Sequence, residues 1–296
     1  MVPGKAWRGV PLAAVAVGVL AVSAAAIFIR LADAPALAVA FWRCVLGVAV
    51  LAPFAVVRRE ALPTGRPLGL LVVSGVVLGA HFGFWISSLD YTSVAASVVL
   101  VSTAPVFVAV LAYPILGERT SPLSLLGILI SLAGCAVIAS DGTAGSAALL
   151  GNVLAVLGAL TVAAHFLIGR FSRTTGMGVL NYSVIVYTSA AVALLPVALL
   201  SGTPLWGYSA ETWFWLWVIT LGPQILGHTV LNWALRYVET ALISGSVLAE
   251  PVIASLLAWL ILAEKPGLPT VLGGAVVLMG LFFLLRGRRI AEKLAT

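Results

Sequence analysis

Long apolar stretches, interrupted by short polar breaks, run along nearly the whole chain. An α-helix needs about 20 consecutive apolar residues to cross the hydrocarbon core of a bilayer. Breaks at glycine, proline and charged residues separate ten such stretches, which predicts an all-α membrane protein with ten transmembrane helices and short loops. The predicted spans are about 10–30, 36–57, 68–89, 93–116, 122–140, 149–169, 177–200, 212–235, 240–263 and 267–285.

The composition excludes the main alternatives to this fold. Of the 296 residues, 62% are hydrophobic and only 9% are charged, whereas a soluble domain has about 25% charged residues. The sequence also lacks the alternating stretches of about ten residues that are typical of outer-membrane barrels. Cys44 and Cys135 lie inside apolar stretches, where packing is expected rather than a disulfide bond or a metal site.

The basic residues predict the orientation of the chain. If the N-terminus is cytoplasmic, thirteen of the 16 lysines and arginines lie at the cytoplasmic ends of the predicted spans. Arg30 and Lys265 then lie outside, and Arg43 lies within a span. Because basic loops stay on the cytoplasmic side, we expect a multi-pass protein of the cell inner (plasma) membrane with both termini in the cytoplasm. The net charge of +6 reports this bias rather than a nucleic-acid partner.

The second half of the sequence repeats the first. Segments 89–138 and 235–284 match at a constant offset of 146 residues. Because each half has five predicted spans, an odd number, the second half should cross the membrane in the opposite direction. We therefore expect two inverted five-helix repeats, residues 1–145 and 146–296, around a central cavity. The matched pairs are Leu89/Leu235, Tyr91/Tyr237, Ala95/Ala241, Val101/Val247, Pro105/Pro251, Leu111/Leu257, Ala112/Ala258, Glu118/Glu264, Gly127/Gly273 and Gly134/Gly280.

The motifs of both copies resemble those of a transporter family. The first copy reads FWISSLDYTSVAASVVLVSTAPVFVAVLAYPILGER, and the second reads ALRYVETALISGSVLAEPVIASLLAWLILAEK. Both resemble the EamA-type repeat of the drug/metabolite transporter superfamily, whose members include YddG-like exporters of amino acids and permeases for other metabolites. The resemblance implies a basket of helices around a central cavity. It also implies that spans 1, 3, 4, 6, 8 and 9 line this cavity and that spans 5 and 10 are peripheral.

Two matched prolines are expected to bend their helices. Pro105 and Pro251 lie in the middle of spans four and nine. Proline has no backbone N–H, so the carbonyl of Val247, four residues before Pro251, should lose its partner. A bend at this depth lets each helix line a cavity.

Glu250 lies near the middle of span nine, where a charge is costly unless it is paired or functional. In one interpretation it binds a substrate amine or a proton. In the other it is a protonated acid bonded to backbone freed by the bend, or a fixed partner of Arg43. The first copy has Ala104 at the matched position, which favours a specific role over a requirement of the fold.

Aromatic and hydroxyl side chains on spans three and four are further candidates for substrate contacts. His81 and Trp85 lie one helical turn apart on one face, with Phe84 nearby. They can bind an amino group or an aromatic substrate, or His81 can be a packed histidine. Ser102 and Thr103 precede the bend in span four, but such hydroxyls often bond only their own helix.

Polar residues on spans eight and two complete the candidate set. Gln224, His228 and Asn232 recur every four residues, which predicts one polar face turned toward a cavity or another helix. Gln224 is nearest the middle of the membrane and is the candidate substrate contact. Arg43 can hold a carboxylate, extend outward to the interface or pair with Asp33, and a structural or gating role is expected.

Matched charges and glycines mark the helix ends and the peripheral helices. Glu118 and Glu264, each followed by a basic residue, end spans four and nine at opposite faces. They form gating contacts between helix ends or are solvated interfacial charges. Glycines recur at seven-residue spacing on spans five and ten, where they predict close helix packing.

The sequence contains none of the motifs of nucleotide hydrolysis, zinc proteolysis, redox chemistry or serine hydrolysis that we sought. The three histidines lie on three separate spans, so we expect neither an enzyme nor a cofactor. The expected function is secondary transport of a small polar metabolite, with export favoured over import. The resemblance favours an amino acid as the substrate. A permease for another metabolite or drug and a channel-like pore are the alternatives. Proton coupling and a monomer or weak homodimer are also expected.

Overall fold

The computed structural model describes residues 9–59, 62–92, 94–139, 148–262 and 265–294. Every regular element within these ranges is helical. The predicted boundary between the two repeats lies outside the described residues. Glu264 also lies outside them. The α-helices are α1 (Val10–Ser23), α2 (Ala25–Ala32), α3 (Ala36–Arg58), α4 (Arg66–Ser88), α5 (Val94–Val101), α6 (Ala104–Leu116), α7 (Pro122–Ala139), α8 (Ala148–Thr174), α9 (Val179–Leu200), α10 (Ala210–Ile219), α11 (Val230–Ala234), α12 (Thr240–Ser246), α13 (Glu250–Leu262) and α14 (Leu268–Leu294).

Nine helical segments among the described residues are long and apolar enough to cross a bilayer. They are Val10–Ala32, Ala36–Arg58, Arg66–Ser88, Ala96–Leu116, Leu149–Thr174, Val179–Leu200, Ala210–Ala234, Thr240–Ile261 and Leu268–Gly287. The fifth predicted span corresponds to a shorter apolar helix, Pro122–Ile138. The prediction of an all-α membrane protein is therefore confirmed, with nine candidate spans and one shorter helix in the described chain.

The two matched prolines lie where their spans are interrupted. In the fourth span, Ser102 and Thr103 separate α5 from α6, and Pro105 is in the first turn of α6. In the ninth span, a 3-10 turn over Val247–Ala249 separates α12 from α13. The predicted loss of a partner for Val247 is wrong, because its carbonyl accepts the N–H of Glu250, one residue closer than in an α-helix.

A π-helix interrupts the eighth span and was not predicted. It covers Thr220–Thr229 between α10 and α11 and contains Pro223. A π-helix forms its backbone hydrogen bonds five residues apart and therefore uses more residues per turn than an α-helix. Proline removes a backbone donor from this span, and such local widening of a helix is frequent at functional sites.

The glycines of the fifth and tenth spans pack α7 and α14 in direct backbone contact. Gly127 faces Gly280 and Gly134 faces Gly273. A Cβ atom at any of these four positions would lie 2.6 Å from the carbonyl oxygen of the facing glycine. The order of the contacts is reversed along the two helices, so α7 and α14 are antiparallel. The close packing predicted for these glycines is confirmed within one chain.

Helices of the two halves interleave around the middle of the molecule. Helix α4 packs against α8 and α9, α3 packs against α9, and α1 packs against the π-helix. Large apolar side chains such as Val57 and Leu200 remain exposed on the outside, at 81% and 89%. An apolar exterior of this kind is the surface expected of a protein that contacts lipid.

Candidate functional site

A cavity lies between the interrupted helices. It offers about 50 Å³ to the centres of water-sized molecules, which is room for a few waters, so a larger solute requires the helices to separate. The spans that contribute are the first, third, fourth, sixth, eighth and ninth, the six that the resemblance implies. The lining residues are Val22, Ala25, His81, Trp85, Val101, Ser102, Ala104, Pro105, Val162, Phe166, His228, Leu231, Ser244, Val247 and Glu250.

Glu250 supplies the acidic group of this cavity. Its side chain is 6% exposed and lines the cavity at the start of α13. Among the described residues it forms no ion pair and no side-chain hydrogen bond. Both structural interpretations, a bond to backbone freed by the bend and a pairing with Arg43, are therefore absent from the structure. A buried carboxylate without a partner is costly, so the site favours a proton or a cationic group beside Glu250.

His81 and Trp85 form the aromatic wall of the cavity. The two rings are stacked, with centroids 5.9 Å apart and an interplanar angle of 6°. His81 Nδ1 lies 2.9 Å from the carbonyl oxygen of Gly158, and because a carbonyl only accepts, Nδ1 carries the hydrogen. In the neutral ring, Nε2 is then an acceptor. The indole Nε1 of Trp85 is buried, and no described residue offers it an acceptor. The wall therefore combines a stacking surface with groups able to bond a polar solute.

His228 is a cavity residue to which the sequence assigned no separate role. Its ring lies 6.2 Å from that of His81 and 5.1 Å from that of Phe82, centroid to centroid. The argument that histidines on separate spans stay apart is thus wrong for this pair. Within the described residues, no group of three or more His, Cys, Asp or Glu side chains could hold a metal ion. The nearby Pro223, which marks the π-helix, is the sequence signal that could have drawn attention to His228.

The three residues of the polar stripe on the eighth span are all buried, and His228 is the one of them that lines the cavity. His228 lines the cavity, whereas Gln224 is fully buried outside it and accepts a hydrogen bond from Arg43. The carbonyl of Asn232 accepts from Arg173 Nε at 3.2 Å. His228 therefore faces the cavity and Gln224 faces α3, whereas the sequence had made Gln224 the candidate substrate contact.

Arg43 is neither extended toward the interface nor paired with Asp33. Its side chain is 0% exposed, and its Cζ lies 3.9 Å from the centre of the Phe82 ring. Nε donates to Oε1 of Gln224 at 2.7 Å. No ion pair joins Arg43 to Asp33 or to any other described acid. Arg43 therefore lies among helices as a buried cation next to the cavity.

The remaining predicted contacts are divided between the cavity and its surroundings. Ser102 lines the cavity, but its hydroxyl donates to the carbonyl of Val98 at 2.7 Å. Thr103 donates to the carbonyl of Leu100 at 2.7 Å, and Phe84 is half-buried; neither lines the cavity. Phe166 and Ser244 line it without having been predicted, because an isolated aromatic or hydroxyl residue in an apolar stretch carries no pattern.

Glu118 connects three helices at one end of the molecule. Its Oε1 forms an ion pair with Arg170 Nε at 2.5 Å, and each side chain is 17% exposed. Its Oε2 accepts the N–H of Thr240, the first residue of α12, at 3.0 Å. Arg170 Nη1 also donates to the carbonyl of Leu235 at 2.6 Å. The interpretation of Glu118 as a solvated charge is wrong, because both of its oxygens are bonded across helices.

Comparison with known proteins assigns this fold to a family. The EamA-like transporter family matches residues 7–140 and again 149–286. An uncharacterized transporter of Archaeoglobus fulgidus is 27% identical over 257 residues, which cover 82% of this chain and 85% of that protein. A "probable terminal-alkyne amino-acid exporter" of Streptantibioticus cattleyicolor is 30% identical over 198 residues, or 64% of each chain. A crystal structure with 19% identity shares the fold, with a TM-score of 0.80 over 96% of this chain and 99% of its own. This chain is therefore a transporter of the EamA-like family, with two copies of the family's repeat.

Proposed function

We propose that this protein is a secondary transporter that exports a small polar metabolite, with an amino acid as the favoured substrate class, across the inner membrane. The observation that carries the proposal is the Glu250 carboxylate, which has no partner among the described residues and lies in a cavity lined by both halves of the chain. The amino group of a substrate complements this carboxylate. The stacked His81 and Trp85 rings offer a surface for the side chain. The relative named as an amino-acid exporter agrees with this choice.

Alternating access by two inverted repeats is the proposed mechanism. Ser131 donates a hydrogen bond to the carbonyl of Val277 at 3.2 Å, and these residues are separated by the repeat offset of 146. Matched positions that meet in antiparallel helices are expected where a two-fold axis passes between two copies. This contact supports a second half that is turned over relative to the first.

Both copies of the repeat contribute matched positions to the cavity. Three matched pairs both line it: Trp85 with Leu231, Val101 with Val247, and Ala104 with Glu250. A site on the axis between two copies can open to either face when the copies exchange their conformations. The acid breaks this symmetry, because only the second copy carries it.

Glu250 also supports proton coupling. A buried carboxylate accommodates either a proton or a substrate amine, but not both at once. Competition between the two couples the entry of a proton to the exit of a substrate. The bonds from Glu118 to Arg170 and Thr240 then act as a gate, which is closed at the end we assign to the cytoplasm. The gating role of Glu264 stays a prediction.

Flux through purified protein in liposomes tests the proposal and its rivals. Radiolabelled amino acids, organic acids and nucleosides are loaded inside, and their exit is followed over a range of concentrations. A transporter gives saturable flux and accelerated exchange when unlabelled substrate is present on the far side. A channel-like pore gives flux proportional to concentration and no accelerated exchange. Saturable flux of an organic acid or a nucleoside, without any amino acid, would replace the proposed substrate class with another metabolite.

A further inference from the structure

Arg43 is a buried cation without an ionic partner among the described residues. Only one of its three guanidinium nitrogens, Nε, has an acceptor, which is Oε1 of Gln224 at 2.7 Å. Nη1 and Nη2 are buried and have no acceptor among the residues that the structure describes. Phe82 covers one face of the guanidinium at 3.9 Å but offers no hydrogen-bond acceptor. Two charged donors are therefore left open.

Gln224 adds a third open donor next to these two. Because its Oε1 accepts from Arg43, the orientation of the amide is fixed, and Nε2 is the group that remains. Nε2 is buried and has no acceptor within the described part of the chain. The hydrogen bond between the two side chains keeps all three open donors in one small region.

This region borders the central cavity. Phe82 contacts both Arg43 and His228, with 5.1 Å between the Phe82 and His228 ring centroids. His228 lines the cavity, and its Nδ1 is also buried without a partner. Gln224 and His228 both belong to the π-helix. A movement of the π-helix would therefore connect the open donors with the cavity.

A buried guanidinium with open donors is costly, and native proteins compensate such a charge with an anion. The planar fork of arginine matches a carboxylate, which accepts two parallel hydrogen bonds from it. The opposite imbalance is present at Glu250, an acid in the cavity without a cation. One solute with a carboxylate and an amine would compensate both groups.

We propose that Arg43 and Gln224 bind the carboxylate of the substrate, whose amine faces Glu250. The inference rests on the proposed function and restricts the substrate class to zwitterions. It also assigns a binding role to Arg43, for which the sequence favoured a structural or gating role, and it brings Gln224 to the substrate from outside the resting cavity.

The test uses the full-length protein in lipid nanodiscs and an amino acid that stabilises it. The affinity for this amino acid is compared with that for its methyl ester, which keeps the amine and lacks the carboxylate. The ester should bind at least about tenfold more weakly, since hydrogen bonds to a charged group are lost. The Arg43→Gln variant should bind both compounds equally weakly. Arg30→Gln, which removes an exposed arginine, should discriminate like the wild type.

Equal binding of the amino acid and its ester by the wild type overturns the carboxylate site and leaves amino-acid transport intact. Discrimination that persists in folded Arg43→Gln overturns the role of Arg43. Because removal of Arg43 can prevent folding, the wild-type comparison is decisive by itself. If no amino acid binds, the proposed substrate class fails, and formate and acetate then test the site. They should raise the melting temperature of the wild type but not of Arg43→Gln, and no such rise overturns the inference.

Discussion

Glu118 forms an ion pair with Arg170 at 2.5 Å and thereby connects the two copies of the family repeat. The same carboxylate accepts the backbone N–H of Thr240. These bonds hold the end of the fourth span against the sixth and ninth spans. In the proposed mechanism these bonds must break whenever the cavity opens at this end. Because they lie within the protein, the effect of removing them on local opening can be measured without any substrate.

Substitution Glu118→Ala should expose the start of α12. The amide of Thr240 loses its charged acceptor, so its hydrogen exchange should accelerate roughly tenfold. Hydrogen-exchange mass spectrometry of peptides that span residues 238–243 measures this change. Arg119→Gln is the control for the loss of a neighbouring charge, because Arg119 donates a hydrogen bond to the Tyr113 hydroxyl and lies over the Tyr113 ring, whereas Glu118 bonds Thr240. Unchanged exchange in Glu118→Ala would refute the gate.

Substitution Gly127→Ala should destabilise the pairing of α7 with α14. The new Cβ would lie 2.5 Å from the backbone nitrogen of Leu284, and overpacking of this kind costs about 1–3 kcal/mol. Gly69→Ala is the control, because a Cβ there meets no atom within 4 Å and should be neutral or slightly stabilising. Thermal unfolding in detergent should show a lower melting temperature for the first variant only. Equal melting temperatures would contradict the direct backbone contact.

Substitutions of His81 and His165 should separate substrate binding from stability. His81→Asn can keep the bond to Gly158 but loses the ring stacked on Trp85. The KM for substrate flux in liposomes should therefore rise by at least about tenfold. His165 instead bonds the hydroxyl of Ser74 at 2.9 Å outside the cavity. His165→Asn should lower the melting temperature and leave KM unchanged. Similar changes in KM for both variants would contradict the assignment of His81 to the site.

The spans and the breaks near Pro105 and Pro251 could be predicted from sequence because they depend on local properties, whereas the π-helix of the eighth span was not predicted. Apolar length indicates a span, and Pro105 and Pro251 indicate interruptions, since proline removes a backbone donor wherever it occurs. The matched glycines predicted close packing for the same reason, although the facing pairs became visible only in the structure. Local chemistry therefore accounts for the fold more fully than for the site.

The partners of the polar side chains could not be predicted in this way. The bond between Arg43 and Gln224 joins residues 181 positions apart, and no pattern along the chain relates them. Gln224 was selected because it lies nearest the middle of the membrane, but it bonds Arg43, and His228 lines the cavity instead. The sequence singled out Glu250 as an acid within an apolar stretch, but its lack of a partner among the described residues is a property of the neighbouring helices.

The central claim is that Glu250 alternately holds a proton and the substrate, and one measurement tests it most directly. Flux of an amino acid that the wild type transports is followed in proteoliposomes between about pH 5 and 8. The wild type is compared with Glu250→Gln and with the control Glu211→Gln. The control alters an exposed acid at the start of α10. Glu250→Gln should lose saturable flux or lose its dependence on pH, and Glu211→Gln should match the wild type. Wild-type rate and pH dependence in a folded Glu250→Gln variant would contradict the account.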